Sequence, residues 1–107
     1  MMKTNKYGDR FWYENRKLHR ENGPAKEWSD GTREWYRNGK LHRENGPATE
    51  WMNGGKGWYK NGKLHREDGP AVELASGTRG WWENGEHIKT ILNGIHPKLI
   101  LEEEMGK

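Results

Sequence analysis

Cysteine is absent from the chain, which excludes a disulfide framework and any thiolate-bound metal. Long apolar runs are absent too. The longest, Leu99-Ile100-Leu101, falls far short of a membrane crossing, so no membrane partner is expected. The first residues, Met1-Met2-Lys3-Thr4-Asn5-Lys6, lack the apolar stretch a signal peptide needs, and the expected setting is cytoplasmic. There is little excess of either charge: nineteen Lys and Arg face sixteen Asp and Glu, a net of +3. The two signs alternate along the chain, so no block builds the field of a DNA-binding stripe. Hydrophobic residues make up 30% and charged residues 33% of the 107 positions, a balance that borders on disorder. Seven Trp and four Tyr offset it, because each large ring buries on the order of 150–250 Å². These proportions predict a thin fold with a sparse aromatic core.

What the chain does have is repetition. Lys17-Leu18-His19-Arg20-Glu21-Asn22-Gly23-Pro24-Ala25 returns as residues 40–48, and again as 63–71 with Asp68 for Asn. His19, His42 and His65 follow one another at intervals of 23 residues. A fixed period of this length marks a stacked repeat architecture. The units run 11–33, 34–56 and 57–79, with a partial fourth at 80–87; together they form a tandem array over 11–87. Residues 1–10 read as the end of a preceding unit, since Gly8 and Arg10 align with Gly31 and Arg33. Residues 88–107 read as a C-terminal cap or dimerisation segment. Within them Ile88–Gly94 suits a last strand and turn, and Pro97–Met105 a short helix with proline at its first position.

Turn signals divide each unit into short strands. Asn38-Gly39, Asn61-Gly62 and Asn84-Gly85 are type I′ hairpin signals, and Asn15-Arg16 stands in the same place without its glycine, which predicts a weaker turn. Gly31, Gly54 and Gly77 mark a second turn, and the Gly-Pro pairs a third connection. The segments between are rich in Trp, Tyr, Thr and Leu. The expected fold is all-β: an antiparallel β-meander, or hairpin repeat array, of 23-residue units with a short C-terminal cap. A two-residue loop at Asn38-Gly39 sets Tyr36 opposite Leu41, Trp35 opposite His42 and Glu34 opposite Arg43. A three-residue loop at 29–31 pairs Glu27 with Arg33, and likewise Glu50 with Lys56 and Glu73 with Arg79, whereas a two-residue loop would oppose Glu27 to Glu34. In this register Trp28, Tyr36 and Leu41 form the core stripe. Trp35, Arg37, Lys40 and His42, with their counterparts Trp58, Lys60, Lys63 and His65, face the other way.

The unit Trp-Tyr-x-Asn-Gly-Lys-Leu-His-Arg-Glu-Asn/Asp-Gly-Pro-Ala resembles the MORN-like repeats, in particular the His-Arg-Glu-x-Gly-Pro-Ala variants common in bacteriophage and large-virus proteins. The match covers residues 11–87. The resemblance implies a scaffold or binding role and a viral or phage setting, and transfers no catalytic residue.

Chemistry carried by single residues is disfavoured. The three histidines belong to different units, too far apart to share one metal ion. Adjacent His and Arg on a strand point to opposite faces, and three similar copies do not make one asymmetric catalytic constellation. Neither enzyme activity nor a cofactor is expected. The candidate binding residues are Trp35, Arg37, His42, Arg43, Trp58, Lys60, His65 and Arg66. Trp, Tyr and Arg are the residues enriched at interface hot spots, and together with the resemblance they lead to a non-catalytic phage-type accessory protein. Its partner would be a host protein in the host cytoplasm, which it inhibits or redirects; anti-defence activity of the anti-CRISPR kind is one form of this. Nucleic acid or nucleotide binding on the Trp/Arg/Lys face is the alternative. A structural assembly module is another, with a homodimer through a sheet edge or the C-terminal segment.

Overall fold

The computed structural model describes residues 1–93, in which there are strands and turns but no helix. The helix expected at 97–105, and most of the segment assigned to capping or dimerisation, lie outside the described residues. In chain order the strands are β1 Met2–Thr4, β2 Arg10–Glu14, β3 Lys17–Leu18, β4 Lys26–Glu27, β5 Arg33–Glu34, β6 Tyr36–Arg37 and β7 Lys40–Leu41. They continue with β8 Thr49–Glu50, β9 Lys56–Gly57, β10 Tyr59–Lys60, β11 Lys63–Leu64, β12 Val72–Glu73, β13 Arg79–Glu83 and β14 Glu86–Ile91. The fold is all-β and antiparallel, and the molecule is elongated, 57 × 27 × 21 Å.

Each unit feeds two rows. The main sheet runs β1-β2-β4-β5-β8-β9-β12-β13-β14, two strands from every complete unit. Beside it stand two-stranded ribbons, β6 with β7 and β10 with β11, and β3 pairs with the end of β2 in the same way. Both kinds of turn obey their local chemistry. Asn38 and Gly39 have φ of 51° and 81°, the left-handed pair a type I′ turn requires. In the glycine turn the Gly31 N–H donates to the Trp28 carbonyl at 2.9 Å, with Gly31 at φ 99°. Glu27 pairs with Arg33, Glu50 with Lys56 and Glu73 with Arg79, the register charge complementarity selects. The turn at Asn15-Arg16 forms with φ of 50° and 66° despite the missing glycine. Arg16 therefore holds its Cβ in a left-handed conformation that costs about 1–2 kcal/mol.

Tyr36 lies opposite Leu41, and the His42 N–H donates to the Trp35 carbonyl at 3.0 Å. The ribbon register stops there. Glu34 does not meet Arg43: it pairs with Lys26 on one side and Thr49 on the other. The Arg43 N–H instead donates to the Tyr59 carbonyl of the next unit at 3.3 Å. The chain turns a corner at Trp35 and changes partners, so alternation does not carry from ribbon to sheet. The core differs for the same reason. Its fully enclosed side chains are Ala25, Ala48 and Ala71, each 0% exposed, while Trp28, Tyr36 and Leu41 are half-buried around them. The Ala48 N–H donates to Gly57, and its carbonyl accepts from Trp35, so each alanine sits where the chain rejoins the main sheet.

Successive units are stitched at the turns as well. The Gly62 N–H donates to the Leu41 carbonyl, and Gly39 and Gly85 donate in the same way to Leu18 and Leu64. In the glycine-turn row, Asp9 accepts from the Ser29 N–H at 2.7 Å, Thr32 from Met52 at 3.1 Å and Thr78 from Asn93 at 3.1 Å. Hydrogen bonds from Asn5 and Ser29 hold the Asp9 carboxyl below its ordinary value of 3.8. The corresponding position after Gly54 is Gly55, which has no side chain to offer. A Cβ there would lie 2.9 Å from the Trp51 ring.

The ends are modified units. Asn5–Asp9 repeats the hydrogen bonding of the glycine turn, with Gly8 at φ 88°. At the other end Arg79 pairs with Ile91, whereas Arg33 pairs with Glu50. The last unit thus bypasses the Gly-Pro-Ala loop and runs straight into β14, with a bulge between Trp81 and Trp82.

Candidate functional site

The three Gly-Pro loops are built around arginines. Arg43 lies 3.9 Å over the Trp35 ring, its Nη1 donates to the Pro47 carbonyl at 3.0 Å, and Glu50 stands 3.4 Å away. Arg20 and Arg66 repeat this on Trp12 with Pro24 and Glu27, and on Trp58 with Pro70 and Glu73. Such stacking contributes about 0.5–2 kcal/mol, depending on desolvation. The loop glycine closes the other side: a Cβ on Gly46 would sit 3.1 Å from the Arg43 guanidinium carbon, and one on Gly69 2.9 Å from that of Arg66. Each guanidinium is therefore held between an indole and a glycine backbone.

The histidines join neighbouring units. Nδ1 of His19, His42 and His65 accepts from the backbone N–H of Asn38, Asn61 and Asn84, at 3.0, 3.0 and 2.9 Å. An amide N–H only donates, so Nδ1 carries no proton, and the proton of the neutral ring is on Nε2. Nε2 points at a glutamate two residues on: Glu21 at 2.7 Å, Glu44 at 2.9 Å and Glu67 at 3.4 Å. The sequence reading placed each His beside its cross-strand Trp. The backbones do pair, but the rings belong to the joints between units. No group of three or more potential metal ligands occurs among the described residues.

Between successive loops lie two grooves of the same design. The first, about 490 Å³, is lined by Trp35, Arg37, His42, Arg43 and Glu44, with Arg20 on its far wall. The second, about 610 Å³, is lined by Arg43, Glu44, Trp58, Lys60, His65 and Arg66. All eight residues singled out from the sequence thus fall in two adjoining grooves, with Arg43 on the shared wall. Lys40 and Lys63 stay outside; their aliphatic stems pack over Gly62 and Gly85. Glu44 was missed. It stands 3.8 Å from Arg37 and 3.7 Å from Lys60, joining cations of two units. The His42 hydrogen bond, supported by the charges of Lys60 and Arg37, holds its carboxyl below the ordinary 4.5. Its signal was present in the sequence: a glutamate follows every repeat histidine by two positions, the spacing that keeps side chains on one face of an extended chain. Burial pushes the hydroxyls of Tyr36, on the wall of the first groove, and of Tyr59 above 10.0, and Glu34 adds to the rise.

Comparison with protein-family models, curated proteins and solved structures returns no match.

Proposed function

We propose that this chain is a non-catalytic binding protein that holds a partner protein along its row of grooves. The observation that carries this reading is the convergence of two half-buried tryptophans, the cations Arg37 and Lys60 and the bridging Glu44 in adjoining sites of one design. A catalytic reading finds little support, because Arg20, Arg43 and Arg66 and the three repeat histidines are already engaged in holding loops and units together. A nucleic-acid reading is weakened by Glu44, which offsets the two exposed cations a phosphate would need. The resemblance of the unit to phage and large-virus repeats supplies the setting, in which the partner is a host protein that is blocked or redirected.

Affinity capture from host lysate tests this with the wild-type chain beside Arg37→Glu/Lys60→Glu. Both substituted side chains are exposed and their pairs with Glu44 are surface ion pairs worth at most about 1 kcal/mol each, so the variant stays folded, which its thermal unfolding checks. The expected result is a host protein recovered by the wild type and depleted at least about tenfold with the variant, in line with loss of rim charge and a central contact. Empty capture, equal capture by both chains, or a stable homo-oligomer as the only product would overturn it.

A further inference from the structure

The period of the grooves restricts what shape of partner they fit. Every complete unit places two strands side by side in the main sheet. The ribbons follow the same step, since the Arg43 and Gly62 amides bond across to the adjacent ribbon. At about 4.8 Å per strand, one groove follows the next after about 9.6 Å. A ligand lying along the row meets both grooves in phase only if its own side chains repeat at that distance. An extended β-strand returns to one face about every 6.7 Å, and its second return, at about 13 Å, also misses. A polyproline II helix has three residues per turn at about 3.1 Å each, so it repeats every 9.3 Å or so.

The chemistry agrees with the spacing. A polyproline II strand makes no internal hydrogen bonds and presents carbonyl acceptors outward, and its prolines have no N–H to donate. The groove walls supply donors. The indole N–H groups of Trp35 and Trp58 have no hydrogen-bond partner among the described residues, and no buried side-chain donor there is left unsatisfied, so neither N–H is sealed from solvent. The Arg37 and Lys60 head groups stand beside them. The Trp28 indole, by contrast, is already bonded to Glu34 at 2.6 Å.

We propose that the two adjoining grooves bind a proline-rich segment in the polyproline II conformation, one helical turn per groove, with its carbonyls accepting from the Trp35 and Trp58 indoles. This rests on the protein-binding reading above and specifies the form of the partner.

The test is titration of the isotope-labelled chain with nonaproline, followed at the indole N–H resonances. Those of Trp35 and Trp58 are expected to shift while that of Trp28 stays in place. Triproline, which fills one groove, should bind at least about tenfold more weakly, as expected when linked contacts are lost. Trp58→Phe keeps a ring under Arg66 but removes the donor, and should weaken nonaproline binding several-fold in a chain whose dispersed amide spectrum shows it still folded. The inference is overturned if nonaproline moves neither indole, if a Gly-Ser nonapeptide binds as well, or if triproline matches nonaproline. A strand-forming Thr-Val nonapeptide that moves both indoles when nonaproline does not would remove the polyproline form and leave the protein-binding reading standing. A single-stranded oligonucleotide that moves them when no peptide does would remove both.

Discussion

At the scale of the residue, most of the apparently chemical side chains serve the backbone. Arg43 is the clearest case: its stem and head are fixed by Trp35, Pro47 and Glu50, and Gly46 leaves room for the guanidinium. The arginine at position 16 does the opposite. It occupies a left-handed turn position where its later counterparts are glycine, and its side chain makes no hydrogen bond or ion pair among the described residues. Arg16→Gly should therefore stabilise the protein by about 1 kcal/mol, read as a higher urea midpoint with an unchanged slope; a lower midpoint would show that the Arg16 side chain contributes more than its conformation costs. This site was legible in advance, because type I′ geometry is set by the two loop residues alone. The alanine column was not. Alanine carries little hydrophobic signal, and only the crossing of the chain back into the main sheet encloses Ala25, Ala48 and Ala71 completely.

At the scale of the element, hairpins were readable and their neighbours were not. The pairings Tyr36 with Leu41 and Glu27 with Arg33 follow from loop length and charge within one hairpin. The change of partner at Trp35 depends on hydrogen bonds between units, which leave no trace in local periodicity. The histidine joints belong to this second class. If the Nδ1 acceptor holds neighbouring ribbons together, the two amide replacements should separate. His42→Asn brings an oxygen near the Nδ1 position, and His42→Gln near Nε2 instead. The Gln variant leaves the Asn61 N–H without its partner and should lose about 1–3 kcal/mol, the Asn variant clearly less. Denaturant unfolding measures both. Equal losses would mean that packing of the ring, rather than its bond to Asn61, sustains the joint.

At the scale of the whole molecule, stability is distributed over joints between like units, as in other linear arrays. The joints are not equal. Three glycine turns are fastened by Asp9, Thr32 and Thr78 to the amides of Ser29, Met52 and Asn93. The fourth, at Gly55, leaves the Ala75 amide without that acceptor. Hydrogen exchange should find Ala75 the fastest of these four amides, marking the joint between β9 and β12 as the weakest along the row; uniform protection would show that the backbone ladder alone decides. The Gly-Pro loops have a consequence of another kind. Three loops frame two grooves, because a groove exists only where one loop faces the next, and the final unit dispenses with its loop. In-frame duplication of one unit's codons would add one groove and about 9.6 Å of reach without disturbing either terminus. Point mutation alters how tightly the surface grips, whereas recombination sets the length it measures, and the array behaves as a ruler whose graduations are inherited whole.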